Sequence, residues 1–347
     1  MARARSTTSS SSATTWRRRS ERWPPWACST PLRATEARRL DDITTRIIEF
    51  YAAPPPADLP RVTGLEIRER WAVTANFLNQ GGPDRTVGRG RTVATRRGEP
   101  LTVDLYPPDG DGPHPGILFI HGGSWVAGSP LTHDKLARRL AERGYFVVSV
   151  DYSLAPEHKH PEGLDDCVLA ADWLAGEAAT LGIDPGRLAI MGDSAGGNLA
   201  AATLHRLLER DGSTAFRSAV LPYGVYDFPA MLELPEDSPF VNGRIFVWQV
   251  EDYLGTAPDD PLLASPAVSP RLSPHLSGYP PVFLTAGTRD PLLQQSLDFG
   301  ESLRAAGVET EVLVCEDATH AFLQIEEVEA AGEGLEAMVA FLGRTLG

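Results

Sequence analysis

Cysteine is scarce in this chain, lysine is nearly missing, and unbroken apolar runs are short. Three cysteines in 347 residues (Cys28, Cys167 and Cys315) make no disulfide framework. Cys167 and Cys315 read as buried small hydrophobes of a reducing compartment, so a cytoplasmic location is expected. No stretch approaches the ~20 apolar residues of a membrane span. Lysine occurs twice, at Lys135 and Lys159, against thirty arginines, and the formal net charge is −14. Such an acidic body excludes a general nucleic-acid surface. Metal-ligand clusters are lacking too. His158 and His160, beside Glu157 and Glu162, have no further ligand group to join them, so neither a metal nor a cofactor is expected.

The charge is unevenly spread. Residues 1–40 hold nine Arg and two Glu, and the rest of the chain carries the compensating acid excess. Ser6 to Thr15 is almost all Ser, Thr and Ala, followed by Arg17-Arg18-Arg19. This composition cannot build a core, so residues 1–35 are expected to be disordered or a misassigned leader. They lack the apolar stretch of a secretory signal; an organelle transit peptide or a nucleic-acid-binding arm are weaker readings. From Glu36 onward, Leu40, Ile43, Ile47, Ile48 and Tyr51 recur at helical spacing until Pro54-Pro55-Pro56.

What is present is a serine in a position to become a nucleophile. Gly192-Asp193-Ser194-Ala195-Gly196-Gly197-Asn198 lies between an apolar strand pattern, Arg187 to Met191, and a helical one, Asn198 to Glu209. A Gly-x-Ser-x-Gly match needs this strand-turn-helix context. The glycines permit a turn too tight for side chains, and the serine oxygen sits at a helix N-terminus that favours developing negative charge. Upstream, the strand pattern Pro115 to Ile120 runs into His121-Gly122-Gly123-Ser124-Trp125. Glycines past a strand end leave backbone N–H groups free for an oxyanion hole, and those of Gly123, Ser124 and Ala195 are the candidates. His121 reads as a residue pinning this loop rather than as a base.

Two further groups complete the set in the chain order serine, acid, histidine. Asp290 follows the strand pattern Pro281 to Gly287, and His320 follows the strand pattern Glu311 to Cys315. Both fall on the strand-end rim where parallel α/β sheets place their sites. His320 would take the proton of Ser194, and Asp290 would fix the imidazole tautomer. Asp317 is the rival acid, and a helix-capping role is the plain alternative for Asp290.

These pieces resemble the hormone-sensitive-lipase family of α/β-hydrolases, in the bacterial esterase branch with the Gly-Asp-Ser-Ala-Gly motif. The resemblance runs from about Arg91 to the C-terminus. It rests on His121-Gly122-Gly123, Gly192 to Gly197, Asp290-Pro291-Leu292 and Thr319-His320-Ala321-Phe322, with Asp151 to Glu157 as a further matching segment. Two departures stand out. Ser124 replaces the family's usual third glycine, and Gln294-Gln295 stands where an acid often follows Asp-Pro-Leu.

The resemblance implies an α/β-hydrolase fold, a mostly parallel eight-stranded sheet with helices on both faces and a helical cap. Residues 36–80 would be an N-terminal cap segment and 81–347 the catalytic domain, with a cap insert near 225–260. Trp125, Phe246 and Trp248 are the candidate pocket-liners, with ordinary helix-packing aromatics as the plain alternative for each. The implied activity is that of a serine carboxylesterase cleaving short- to medium-chain esters through an acyl-enzyme. An amide or formamide hydrolase, or a small-metabolite deacetylase, would use the same triad. A non-catalytic receptor on this fold would lack the histidine that His320 supplies. The family leaves a homodimer open.

Strands are expected near 86–96, 100–106, 115–121, 145–151, 187–192, 217–222, 281–287 and 310–315. Helices are expected near 131–143, 163–181, 195–210, 292–306 and 325–345. Alternation of the two predicts a largely parallel sheet covered on both faces.

Overall fold

The computed structural model describes residue 61 and residues 63–234 and 243–347. The expected leader, the helix from Glu36 and its proline stop lie outside the described residues, as does the middle of the expected cap insert.

The framework is one sheet in the order β1-β2-β4-β3-β5-β6-β7-β8. Its strands are β1 (Gly88–Arg96), β2 (Glu99–Tyr106), β3 (His114–Ile120), β4 (Phe146–Asp151), β5 (Ile183–Gly192), β6 (Phe216–Pro222), β7 (Val282–Gly287) and β8 (Thr310–Cys315). β2 runs antiparallel to both its neighbours, and every pairing from β4 across to β8 is parallel. The sheet is therefore mixed at one edge and parallel through its centre. Strand β5 begins at Ile183, earlier than its apolar run suggests. Ile183 pairs with His114 across a register shift.

Strands β3 and β5 carry uninterrupted apolar stretches, Ile117 to Ile120 and Leu188 to Met191, because both faces are covered. Leu118, Ile120, Leu188, Ile190, Leu221 and Leu284 join one core cluster, while Ile117, Phe119, Ala189, Met191, Val220 and Phe283 join the other. Alternate residues of one strand thus point to opposite layers. Helices α3 (Glu162–Glu177), α4 (Ala195–Asp211) and α7 (Leu293–Ala305) supply the first layer; α2 (Asp134–Glu142) and α8 (Glu329–Leu346) supply the second. Each fully buried Leu, Ile or Phe in these layers contributes about 1.5–3 kcal/mol relative to exposure.

Three more helices lie outside the strand-helix alternation: α1 (Gly64–Leu78), the short α5 (Phe228–Met231) and α6 (Gly243–Leu254). Helix α1 is tied down by Arg68, whose guanidinium donates to the carbonyls of Val126 and Ala155 and pairs with Glu157 at 2.9 Å. The Gly64 N–H donates to Asp252 on α6 at 3.0 Å. Helix α6 buries Phe246, Val250 and Tyr253 against the first core layer. No described helix is long and apolar enough to cross a membrane.

Candidate active site

Ser194 is the hinge between β5 and α4. Its backbone sits at φ 55°, ψ −122°, a strained conformation for a residue with a side chain. The Ser194 N–H donates to Pro222 O at 3.1 Å, and Gly196 N–H donates to Asp193 O at 2.8 Å. The flanking glycines are required by close approach: a Cβ on Gly192 would lie 2.2 Å from Gly196 O, and one on Gly196 would lie 2.0 Å from Ile120 O. The elbow thus packs backbone to backbone against the end of β3, and any side chain there would force it apart.

Three side chains from three strand ends converge. Ser194 Oγ lies 2.9 Å from His320 Nε2, and His320 Nδ1 lies 2.9 Å from Asp290 Oδ2. Asp290 has no exposed side-chain surface. Its other oxygen accepts from Leu292 N–H at 2.8 Å, so it caps the following turn and faces the histidine at once. The rival Asp317 is exposed, with its N–H bound to Thr288 Oγ1. Asp290, not Asp317, meets His320. Burial works against the charged imidazole, but the charge and hydrogen bond of Asp290, with the charge of Asp193, outweigh it and hold the His320 pKa above its ordinary value. Tyr223, past the end of β6, sets its ring edge-on to His320 with centroids 5.1 Å apart.

The loop after β3 carries three consecutive residues with left-handed backbone: Gly123 (φ 132°), Ser124 (φ 56°) and Trp125 (φ 61°). A Cβ on Gly123 would lie 2.1 Å from Ala127 O. Gly122 spends its N–H on Asp193 Oδ1 at 3.0 Å. The N–H groups of Gly123, Ser124 and Ala195 have no acceptor among the described residues. His121 is fully buried and stacked on Tyr152 at 4.3 Å, with Nδ1 2.9 Å from Gly122 O. Burial, reinforced by the neighbouring His133, pushes its pKa down to about 3, which leaves a neutral ring inside the loop.

The aromatic residues expected at the pocket are brought together in part. Trp125 and Phe246 are each 2% exposed. Trp125 stacks on Tyr253 at 4.8 Å and tilts against Phe228 at 5.0 Å, with Phe246 at 6.3 Å. Trp248 is half-buried on the same helix. Asn198, quoted in the motif but given no role by sequence reasoning, holds this cluster to the elbow. Its Nδ2 donates to the carbonyls of Val225 and Val268, each at 2.8 Å, and its Oδ1 accepts from Trp125 Nε1 at 3.1 Å.

Gln295 resolves the second departure from the family pattern. Its Oε1 accepts from the N–H groups of Tyr226 and Asp227 at 2.9 and 2.8 Å, and its Nε2 donates to Asp227 O. The amide supplies the acceptor that an acid would supply, without a buried charge.

A cavity of about 240 Å³ lies behind the elbow rather than over Ser194, lined by His133, Gln324, Lys135, Arg139, Leu323 and Leu335 among others. No group of three or more His, Cys, Asp or Glu that could hold a metal occurs among the described residues. His158 pairs instead with Glu162 at 2.8 Å, and His160 meets the Tyr253 hydroxyl at 3.2 Å.

The comparisons with known proteins bear on the fold and the family. A family profile described as alpha/beta hydrolase fold matches residues 117–324, which includes Ser194, Asp290 and His320. An ethyl acetate hydrolase of Pseudomonas putida is 35% identical over 265 residues, covering 74% of this chain and 82% of that protein. An arylesterase of Saccharolobus solfataricus is 30% identical over 290 residues, covering 82% and 92%. Among solved structures, an esterase of Pyrobaculum calidifontis superposes with a TM-score of 0.77 at 28% identity, over 88% of this chain and 99% of that one. The chain belongs to the α/β-hydrolase family, in its hormone-sensitive-lipase-like branch.

Proposed function

We propose that the chain is a serine carboxylesterase that cleaves short- to medium-chain esters through an acyl-enzyme. The observation that carries this reading is the relay Ser194 Oγ to His320 Nε2 and His320 Nδ1 to Asp290 Oδ2, each step 2.9 Å. The relatives named as ester hydrolases support the bond type.

The chemistry follows from the positions. Ser194 Oγ attacks the ester carbonyl carbon while His320 Nε2 takes its proton. Asp290 stabilises the imidazolium that forms. The carbonyl oxygen becomes an oxyanion and is received by the N–H groups of Gly123, Ser124 and Ala195, which no acceptor among the described residues occupies. Collapse breaks the C–O bond, and the leaving alkoxide takes the proton from His320. A water then attacks the acyl carbon with His320 again as base, which releases the acid and restores Ser194. Ser124 takes part through its backbone, so its departure from glycine leaves the donor in place.

The acyl group is assigned to the side where Trp125 and Phe246 gather, with Trp248 on the same helix as Phe246, beneath a cap to which α1 and α6 contribute. The bonds from Arg68 on α1 to Val126 O, and the stacking of Tyr253 of α6 on Trp125, support that placement. Buried free thiols at Cys167 and Cys315 support work in a reducing cytoplasm.

Hydrolysis of p-nitrophenyl esters from acetate to palmitate, by wild type and Ser194→Ala, tests the proposal. Turnover should peak on short to medium chains and vanish in the variant. A folded protein inert toward every ester would move the reading to amides or formamides.

A further inference from the structure

Behind Ser194 a second polar cluster joins the three loops that carry the site, and the mechanism above makes no use of it. Its centre is the carboxylate of Asp193, which is 1% exposed. Oδ1 accepts from Gly122 N–H at 3.0 Å, at the root of the oxyanion loop. Oδ2 accepts from Gln324 Nε2 at 3.1 Å, four residues beyond His320. His133 Nε2 lies 3.2 Å from that oxygen and 2.7 Å from Gln324 Nε2.

The hydrogens can be assigned by counting. The single hydroxyl hydrogen of Thr132 goes to Ser129 O at 2.8 Å, so His133 Nδ1, 2.8 Å from the same hydroxyl, donates to it. His133 Nε2 then accepts from Gln324 when the ring is neutral, or donates to Asp193 when it is protonated. In both forms the carboxylate is held by donors from at least two other segments. Burial works against its charge, but the charge of His133 and the donors around it outweigh that, and the Asp193 carboxyl is held below its ordinary pKa. A buried charge is a costly way to fill space, which an apolar side chain would fill at less expense.

We propose that Asp193 and Gln324 are positioning residues for hydrolysis. The Asp193 carboxylate clamps the oxyanion loop and the His320 loop to the serine turn, and its fixed negative charge steadies the imidazolium that His320 becomes in the transition state. The inference rests on the proposed triad. The groups facing His320 are Asp290 after β7, Asp193 at the end of β5 and Tyr223 after β6, whose hydroxyl burial keeps neutral. Those facing Asp193 are His133, His121, Gln324 and the hydroxyls of Tyr152 and Tyr223, which burial keeps neutral. Removing the Asp193 charge therefore lowers the His320 pKa, because that charge is one of the influences that raise it.

The test is steady-state hydrolysis of p-nitrophenyl acetate across pH by the full-length wild type, D193N and Q324M. D193N keeps volume and removes charge; Q324M keeps length and removes the amide. D193N should lose about 10²-fold in kcat with KM within about twofold, the scale of a small misplacement of reacting groups. Its acid limb should move to lower pH. Q324M should lose about tenfold in kcat, through looser placement of the His320 loop, and keep the limb where it is. An unmoved limb in D193N overturns the proposal whatever kcat does, since a packing role alone cannot tune His320. Should D193N lose its cooperative melting transition, Q324M decides: a kcat within about twofold of wild type overturns the clamp. The triad fails separately, through normal turnover by Ser194→Ala or the absence of fluorophosphonate labelling at Ser194 in wild type.

Discussion

The site has a polar floor and an aromatic roof, and the two are built on different physics. Below Ser194 lie Asp193, His133, Gln324 and Asn198, all buried and all engaged in hydrogen bonds. Beside it lie Trp125, Phe228, Phe246 and Tyr253, in ring contact with one another. Hydrogen bonds are directional, and a buried donor left unpaired costs its whole desolvation. Ring packing is non-directional and forgives changes that conserve volume. The floor should therefore fix geometry and fail abruptly, while the roof should set selectivity and fail gradually.

The triad sharpens this contrast most. Asp290→Asn keeps the shape of the acid but disturbs the histidine tautomer, and should cut kcat by about 10⁴-fold, as in other triads. Asp317→Asn should leave kcat within about twofold, because His320 Nδ1 faces Asp290 and Asp317 is exposed. Fluorophosphonate labelling should be strong in wild type and absent in Ser194→Ala. The reverse order of the two aspartates would transfer the acid role to Asp317.

Asn198→Leu tests the floor with nearly constant volume. It strands the carbonyls of Val225 and Val268 and the Trp125 indole N–H. At about 1–3 kcal/mol for each unsatisfied group, the sum is several kcal/mol. Thermal melting should show a drop well beyond that of any conservative roof variant. A loss under about 1 kcal/mol would mean that the floor tolerates rearrangement as the roof does.

The pH profile follows from His320. Under the proposed function His320 is a general base and must be neutral, and its pKa is raised, so kcat/KM should fall along an acid limb whose midpoint lies above the ordinary histidine value of 6.5. The sign for stability is opposite. Protonated His320 is favoured in the fold, so its contribution is complete below the unfolded value and is lost as pH rises through the folded one. A midpoint below 6.5 would show that burial, not Asp290, governs the ring.

Legibility in the sequence divides along similar physical lines. The central strands were readable because a strand buried on both faces writes an unbroken apolar run, as Ile117 to Ile120 and Leu188 to Met191 do, whereas the edge strand β1 is largely exposed and writes none. Ser194, Asp290 and His320 stood out as candidates because each lies in a short loop just past such a run, in the chain order serine, acid, histidine. Helix α1 was passed over inside the expected 36–80 segment. Ile67, Trp71, Ala75 and Leu78 do recur at helical spacing, and that signal could have found it. Asp193 and Asn198 of the floor lay in the quoted motif without a role, and their distant partners left no signal. Gln324 meets His133 and Asp193 from positions 191 and 131 residues away, and pairing through side chains has no period. Nor could the sequence say that Trp125 and Phe246 would spend so much of their surface on each other and on Tyr253.

The mildest test falls on that roof. Phe246→Leu removes one edge of the contact with Trp125 and Phe228 but nearly conserves bulk. The stability cost should stay below about 1.5 kcal/mol, against several for Asn198→Leu at comparable volume change. Under the proposed function, the space released should raise kcat/KM for longer acyl chains by a few-fold, while acetate turnover and the acid limb stay where they are, because neither His320 nor its carboxylates touch this ring. A shift of a few-fold in chain preference is about 1 kcal/mol, the worth of roughly one methylene in an apolar pocket. If acetate turnover collapses as well, the ring is bearing on the oxyanion loop through Trp125, and roof and floor are one mechanical unit.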